Sequence, residues 1–470
     1  MSSGSEALRA SVIFIAVVTV WRVGTLWFNA TDLFADEAQY WAWGKHLDFG
    51  YFSKPPLIGW LIGGVTALTG SDTAFVVRLP ASLLHGLTAL LVIWAARAFV
   101  DAWVAAWAGA LYASMPLIAV GSVLMSTDTV MLPFFAVALG LYGRLIEAPS
   151  LARAAALGVA VGAGLLAKYA MVYFVLGAVL VWVFQPAQRI RLRDAGLAVL
   201  AALAVFAPNI WWNIENDGQT VRHLVEDNAD VGGIDPSLSE GAVFLAEQAG
   251  IFGPILFVAL LLAVLRRPRG AELSLLLFSL PTIAVVTVQA VLSGALANWA
   301  AAAYIAAPIL AASVLQMRRG LLVASAVYGM AFAAAIPLVF IAPEAVRPGG
   351  GAPLANRYLG LHAVSDMAAE TAREAGLSTI TAAERGLLAD LTYTLHGEGF
   401  DIRAWGDPSD APRSWYHAEF PIERPTAEAV AYLGETPPDC ARAKPLSAVD
   451  PGVGHWAGRG LRLWRVAPGC

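Results

Sequence analysis

An acid pair and a lysine that precedes two prolines lie close together in DEAQYWAWGKHLDFGYFSKPPLIGWL, residues 36–61. A carboxylate at the edge of hydrocarbon is partly desolvated and is therefore a stronger base. A lysine on a backbone stiffened by prolines can hold a phosphate group. These residue types predict a base, Asp36 with Glu37 beside it, and a phosphate ligand, Lys54. The alternative is a solvated acid pair and a lysine that anchors the chain at a membrane surface.

The rest of the chain is very apolar. Of its 470 residues, 58% are hydrophobic and 14% are charged, and the mean hydropathy is +0.64. Soluble domains are roughly 25% charged, so the repeated apolar runs predict an α-helical membrane protein with several spans. The net charge of −5 argues against a nucleic acid partner. Two cysteines are too few for a cysteine-rich zinc site.

Positive charge predicts how the apolar segments cross the membrane. The segments lie at about 8–28, 56–70, 75–97, 102–120, 129–146, 153–168, 170–186, 195–214, 242–265, 272–293, 297–315 and 320–342. Lys and Arg mark cytoplasmic loops, and the strongest clusters are RIRLR (189–193), RRPR (266–269) and RR (318–319).

The charge count closes with eleven spans only if the segment 56–70 lies at the outer interface without crossing. The N-terminus is then cytoplasmic, and the C-terminal region is outside, in the periplasm of a bacterium. Residues 29–74 form the first external loop. The alternative is a crossing segment 56–70, which would place Asp36 and Asp128 on opposite sides of the membrane.

Further polar residues fall on the predicted outer face. Asp128, in LMSTDTVMLPFF, is a second candidate catalytic carboxylate, or simply the start of a helix. Lys168, between two apolar runs, and Arg78 are candidates for binding the donor phosphate. The loop 207–233 is polar and aromatic. Candidate sugar or acceptor contacts are Tyr40, Trp212, Asn213, Asn298 and Trp299. Arg22 and Glu247-Gln248 lie within apolar segments and should face the protein interior.

Residues 343–470 are more polar and predict a small α/β domain outside the membrane, following a transmembrane domain over 1–342. The region begins with the linker RPGGGAP, continues with a helical pattern at 364–376, and contains the strand-like LSTITAA, FDIRAW and GLRLWRVAP. Cys440 and Cys470 either pair or remain free thiols. We expect this domain to bind or gate an acceptor.

Several motifs in order resemble a known family. They are KPPLIGWL, VVRLPASLLHG, STDTVMLPFF, LLAKYAMVYF, PNIWWNIENDGQT and ANWAAAAYIAAPIL. The chain is similar over about residues 8–342 to the family 39 and 83 group of GT-C membrane glycosyltransferases. This group includes protein O-mannosyltransferases and lipid A aminoarabinose transferases.

The resemblance implies a GT-C fold and a transferase that uses a polyprenyl-phosphate-linked sugar. By motif, Asp36 would be the catalytic aspartate, Lys54 would hold the donor phosphate, and Asp128 would be the second external-loop aspartate. Some relatives carry an acidic residue, implicated in metal binding, before the Lys-Pro-Pro lysine. This chain has Ser53 there, so we expect neither a required metal nor another cofactor.

The predicted reaction is an inverting displacement. Asp36 takes the proton of an acceptor hydroxyl on a lipid, glycan or protein, and that oxygen attacks the anomeric carbon. Lys54, with Arg78 or Lys168, offsets the charge on the leaving polyprenyl phosphate, while Glu37 tunes Asp36 or binds donor hydroxyls. The alternatives are a lipid-linked sugar flippase and a glycan polymer ligase. The halves of the chain show no repeat of the kind frequent in transporters.

Overall fold

The computed structural model describes residues 4–223, 236–407 and 410–470. The chain divides into two compact units. The first comprises Met1–Trp27, Lys54–Ile58 and Arg78–Pro337, and the second comprises Phe28–Ser53, Gly59–Val77 and Leu338–Cys470. The second unit therefore combines most of the predicted first external loop with the C-terminal region, whereas the sequence suggested a single boundary near residue 342.

All twelve predicted apolar segments are helical, because a helix satisfies its own backbone hydrogen bonds in an apolar surrounding. The helices up to residue 341 are α1 (Gly4–Leu26), α2 (Ala35–Lys45), α3 (Leu57–Thr69), α4 (Ala74–Ala96), α5 (Ala102–Ser114), α6 (Pro116–Gly121), α7 (Thr127–Glu147), α8 (Leu151–Ala167), α9 (Val172–Phe184), α10 (Leu192–Glu215), α11 (Leu238–Phe252), α12 (Pro254–Leu265), α13 (Gly270–Leu277), α14 (Leu280–Ser293), α15 (Ala307–Leu315) and α16 (Arg319–Ile341).

Among the described residues, six helices are long and apolar enough to cross a membrane, or up to eight if each of two bent pairs is one span. The bent pairs are α11 with α12, at 113°, and residues 297–304 with α15, at 64°. The predicted count of eleven also needs the shorter or broken segments 102–121, 151–167 and 169–184 to cross. Helix α3 has 13 residues and spans only about 20 Å, short of a hydrocarbon core about 30 Å thick.

Glycines let two helices of the first unit approach closely. A Cβ at Gly162 of α8 would lie 2.7 Å from the carbonyl oxygen of Ala202 in α10. Gly158 meets the carbonyl of Ala198 in the same way. Small residues at such crossings are typical of helix packing in membranes. This contact holds α8 against α10, and polar residues considered below lie towards the C-terminal ends of both helices.

In the second unit, α2 and α3 cross at a pair of glycines. A Cβ at Gly44 would lie 2.7 Å from the backbone nitrogen of Gly63. The ring of Trp43 stacks on Tyr51 at 4.4 Å between centroids, and the Tyr51 hydroxyl donates to the Trp43 carbonyl oxygen at 2.9 Å. The glycines of PPLIGWLIGG thus serve close packing, and the acid pair stands on a firmly packed helix.

The C-terminal region forms the predicted α/β structure around a five-stranded sheet of order β2-β1-β3-β5-β4. Its elements are α17 (Leu361–Glu374), β1 (Thr379–Ala382), α18 (Arg385–Thr394), β2 (Asp401–Ala404), α19 (Trp415–Glu419), β3 (Val430–Gly434), β4 (Ala443–Ala448) and β5 (Arg462–Val466). Strand β1 pairs in parallel with β2 and β3, whereas β5 pairs antiparallel with β3 and β4. The three predicted strand segments contain β1, β2 and β5.

Strands β3 and β4 have weaker sequence patterns. Every residue of β3 is buried, so it lacks the alternation of a half-exposed strand. Strand β4 contains Pro445 and is interrupted next to it, which an edge strand tolerates. Cys440 and Cys470 form a disulfide, the paired alternative of the two considered. Helix α18 packs against α2 within the second unit.

Candidate functional site

A buried ion pair joins two of the predicted site residues of the first unit. The Lys168 ammonium lies 2.7 Å from Oδ1 and 2.8 Å from Oδ2 of Asp128. The side-chain amide of Asn298 donates to Oδ2 of Asp128 at 3.0 Å. Asp128 is only 7% exposed. Since an isolated buried charge is costly, the cation and the amide compensate for the burial of this carboxylate.

Each of these three residues stands at a break in the helical structure. Asp128 lies in the first turn of α7, and the N-cap Ser126 accepts a hydrogen bond from the backbone nitrogen of Thr129. Lys168 is extended between α8 and a 3-10 turn. Asn298 belongs to the 3-10 segment Ala297–Ile305, which follows a glycine with positive φ, Gly294. Breaks of this kind free backbone and polar side chains for a site.

A second polar group adjoins Lys168 in the chain. The hydroxyl of Tyr169 donates to Oδ1 of Asn209 at 2.8 Å, and the Asn213 amide donates to the Tyr169 hydroxyl at 3.3 Å. Asn209 and Asn213 are one turn apart on α10. The buried Oδ1 of Asn213 has no hydrogen-bond partner within the described residues. It is an acceptor suited to a sugar hydroxyl, the role predicted for Asn213.

The segment that carries Asn298 is held from α11. Gln248, fully buried, donates to the carbonyl oxygen of Ala297 at 3.1 Å and accepts from the hydroxyl of Tyr304 at 2.6 Å. The inward orientation predicted for Glu247-Gln248 is therefore right for Gln248, whereas Glu247 is exposed. Adjacent helical residues point in different directions, so only one of the pair can face the interior.

The two carboxylates of the acid pair, in the second unit, also point in different directions. Glu37 is buried, and its carboxylate accepts from the backbone nitrogen of Phe34 at 3.0 Å, which caps the start of α2. Asp36 points elsewhere and accepts from Nη1 of Arg385 at 2.7 Å. Arg385 also donates to the side-chain oxygen of Gln39 at 3.2 Å. The capping contact gives Glu37 a structural role beside its predicted catalytic one.

The remaining predicted residues differ in exposure. Arg78 is fully buried, Tyr40 and Trp212 are buried, and Lys54 and Trp299 are partly exposed. Arg22, expected to need a partner, donates to the carbonyl oxygen of Ala113 at 2.7 Å. Residues 224–233 of the predicted polar loop lie outside the described residues. In the parts of the chain that the structure describes, no three His, Cys, Asp or Glu side chains are grouped to hold a metal ion.

A histidine with two carboxylates forms another cluster of the second unit. His362 Nδ1 lies 2.8 Å from Oδ1 of Asp390, and its Nε2 lies 3.9 Å from Oδ1 of Asp32. Burial by itself lowers the pKa of His362, but the hydrogen bond to Asp390 and the negative charges of Asp390, Asp32 and Asp366 outweigh it, so the pKa is raised. Burial raises the pKa of Asp32, against the opposing charge of His362.

We expect this cluster to make stability depend on pH. Because the folded-state pKa of His362 is raised, its stabilising contribution is complete below about pH 6.5 and is lost as pH rises through that raised pKa. Asp32, whose pKa is also raised, adds a loss in the same direction at lower pH. Thermal unfolding of the full chain in detergent should therefore show a fall in Tm as pH rises above about 6.5, and this fall should be smaller in His362→Gln. The control is His455→Gln, because His455 is exposed. Equal slopes of Tm against pH in wild type and His362→Gln would contradict the assignment to His362.

Arg385 and His362 are the site residues that the sequence did not reveal. Arg385 is separated from Asp36 by 349 positions and His362 from Asp32 by 330. No local spacing connects residues so far apart. The sequence offered only a weak signal for them: both are polar residues at the starts of helices, in the region predicted to bind or gate the acceptor.

Residues 53–212 match the family model of dolichyl-phosphate-mannose-protein mannosyltransferases. The chain is 38% identical over 470 residues to the lipid A galacturonosyltransferase RgtD of Rhizobium johnstonii, covering 98% of this chain and 99% of that protein. It is 30% identical over 221 residues to the lipopolysaccharide core galacturonosyltransferase RgtB of the same organism, covering 45% and 43%.

Crystal structures of ArnT from Cupriavidus metallidurans share the fold. The apo structure matches with a TM-score of 0.69, and the structure bound to undecaprenyl phosphate with a TM-score of 0.68. Each match covers 97% of both chains at 15% identity.

These likenesses and the fold define a multi-pass membrane glycosyltransferase. The chain belongs to the GT-C glycosyltransferases, as its motifs predicted. Within that family it is similar, over almost its whole length, to a transferase that modifies lipopolysaccharide.

Proposed function

We propose that the protein transfers a single galacturonosyl residue from a polyprenyl-phosphate donor to lipid A or a related lipid-linked glycan, at the outer face of the inner membrane. The main support for this proposal is the 38% identity to a lipid A galacturonosyltransferase over nearly all of both chains. A lipid phosphate donor is supported by the shared fold with a transferase crystallised with undecaprenyl phosphate. The N-terminus would be cytoplasmic and the C-terminal region periplasmic.

In the proposed reaction, a bond forms between an acceptor hydroxyl oxygen and the anomeric carbon while the bond from that carbon to the phosphate oxygen breaks, with inversion. Asp36 receives the hydroxyl proton. The released polyprenyl phosphate carries away the electron pair, and Lys54, helped by the buried charge of Arg78, offsets its negative charge. A phosphate leaves without being protonated, so one base and one cationic clamp are sufficient.

The ion pair of the first unit suggests a refinement of the roles of Asp128 and Lys168. Because Lys168 contacts both oxygens of Asp128, we assign it to pairing with that carboxylate and orienting it. Asp128 would hold an acceptor hydroxyl, and the unpaired Oδ1 of Asn213 would accept from a hydroxyl of the sugar. Trp299, which is partly exposed, would offer an aromatic surface to a sugar ring, whereas Tyr40 and Trp212 are buried and expose little ring surface.

A reconstituted assay tests the proposal. Purified protein is incubated in liposomes with labelled polyprenyl-phosphate galacturonic acid, with and without lipid A. Labelled lipid A carrying one added sugar is the expected product. Movement of the donor between leaflets without covalent change would favour the flippase, and transfer of only preassembled glycan chains would favour the polymer ligase.

Replacement of Lys54 tests the phosphate clamp. Lys54→Ala should lower kcat by about 10²–10³-fold, because the negative charge that develops on the leaving phosphate loses the cation assigned to offset it. Single-turnover transfer in liposomes measures this. Lys45→Ala is the control, since Lys45 is a lysine of the same segment with no assigned role in the reaction; it pairs with Asp72 at 2.7 Å. Turnover by Lys54→Ala within threefold of wild type would remove Lys54 from the mechanism.

A further inference from the structure

Arg385 has a free edge next to the proposed base. Both of its hydrogen bonds, to Asp36 and to Gln39, are made through Nη1. Within the described residues, its Nη2 and Nε donate to no other side chain or carbonyl, and the side chain is 41% exposed. A guanidinium presents its donors as a planar fork. One arm of this fork holds Asp36, and the other edge remains available to a ligand.

The position of Arg385 is set by its helix. Glu384 caps α18, accepting from the backbone nitrogen of Leu387 at 2.8 Å. Arg385 is the first residue of that helix, and α18 packs against α2, which carries Asp36 and Gln39. The guanidinium is thus placed by two packed helices of one compact unit. A residue held in this way loses little freedom when it binds a ligand.

The chemistry of the donor suggests what the free edge binds. A uronic acid differs from its neutral hexose by a carboxylate at C6, and C6 is attached to C5, which shares the ring oxygen with the reacting carbon C1. A sugar whose C1 is attacked beside Asp36 therefore has its carboxylate in the same neighbourhood. Arginine binds a carboxylate with two parallel hydrogen bonds, a geometry that lysine cannot reproduce.

We propose that Arg385 recognises the carboxylate of a uronosyl donor through Nη2 and Nε, while Nη1 continues to hold Asp36. Arg385 is then a specificity-determining residue, and the C-terminal region selects the donor sugar in addition to any contact with the acceptor. The inference rests on the proposed function, because it takes Asp36 as the base of a transfer from a lipid-linked sugar.

The test compares two donors that differ only at C6: polyprenyl-phosphate galacturonic acid and polyprenyl-phosphate galactose. The measured quantity is the ratio of kcat/KM for the two donors, in wild type, Arg385→Gln and Arg385→Lys. Wild type should favour the uronosyl donor. Arg385→Gln should lower that ratio by about 10- to 100-fold, the range for a hydrogen bond to a charged group, while still using the neutral donor. Arg385→Lys, which keeps the charge without the fork, should give an intermediate ratio.

The control is Arg403→Gln, because Arg403 forms a comparable exposed pair with Asp401 at 2.9 Å. Its donor ratio should equal that of wild type. An equal loss with both donors in Arg385→Gln, or a wild type that uses both donors equally, would overturn the inference and leave the proposed function standing. A wild type inactive with both donors would overturn the proposed function itself. If Arg385→Gln does not fold, the ratio in Arg385→Lys decides, and an unchanged ratio there would also overturn the inference.

Discussion

Asp36→Asn is expected to lower kcat by about 10²–10⁴-fold, the range for loss of a general base. The amide cannot accept a proton, whereas its size and its contact with Arg385 are nearly preserved. Single-turnover transfer of labelled sugar in liposomes measures the effect. The loss should persist at saturating donor and acceptor, because the change acts on the chemical step and not on binding.

The fold should survive this substitution. The side chains of Asp36 and Arg385 are 43% and 41% exposed, and ion pairs open to water contribute only about 0–1 kcal/mol. Asp401→Asn is the matched control, because Asp401 pairs with Arg403 at similar exposures of 52% and 38%. Activity of Asp36→Asn within threefold of wild type would exclude Asp36 as the base. A loss in Asp36→Asn no larger than that in Arg385→Gln with the neutral donor would limit Asp36 to positioning.

Lys168→Met is expected to destabilise the protein by about 3–5 kcal/mol, because it leaves the carboxylate of Asp128 buried without its cation, and among the described residues Asn298 alone still donates to it. The side chains of Lys168 and Asp128 are 19% and 11% exposed, so water screens the pair little. Thermal unfolding in detergent measures this as a large fall in Tm, accompanied by loss of transfer.

The double variant Asp128→Leu with Lys168→Met separates stability from catalysis. Removal of both charges leaves no unpaired ion, so the Tm should rise above that of Lys168→Met alone. Transfer should remain absent, because the carboxylate assigned to the acceptor hydroxyl is gone. A double variant as unstable as Lys168→Met would show that the pair is not the source of the effect, and recovered transfer would remove Asp128 from the mechanism.

Local sequence patterns gave a good account of the individual elements. The apolar runs predicted the helices of the membrane region, because hydropathy and helical structure both follow from the absence of water. Alternation in LSTITAA and GLRLWRVAP indicated β1 and β5. Helix α2 was not predicted: the acid pair was interpreted as part of an external loop, and the spacing of three residues from Phe34 to Glu37 could have suggested the helix start.

Local patterns could not predict which distant residues contact each other. Lys168 was predicted to hold the donor phosphate, and the structure pairs it with Asp128, 40 positions away, and brings in Asn298, 170 positions from Asp128. Lys168 and Asn298 had each been predicted as site residues independently, Lys168 for its charge and Asn298 for its amide within an apolar segment. Their distance and geometry depend on how α7, α8 and the segment 297–305 pack, and no periodicity in the chain encodes that packing.

The motifs of the sequence by themselves thus indicated a membrane glycosyltransferase of the GT-C family, and the acid pair and the Lys-Pro-Pro lysine remain the predicted site residues. Only the tertiary structure decided which carboxylate of the pair is available, since Glu37 turns back to cap α2 while Asp36 meets Arg385. It also decided that an arginine 349 positions from that carboxylate contacts it. The physical reason is that composition and spacing act along the chain, whereas charge pairing is settled by the packing that brings distant segments within hydrogen-bond distance.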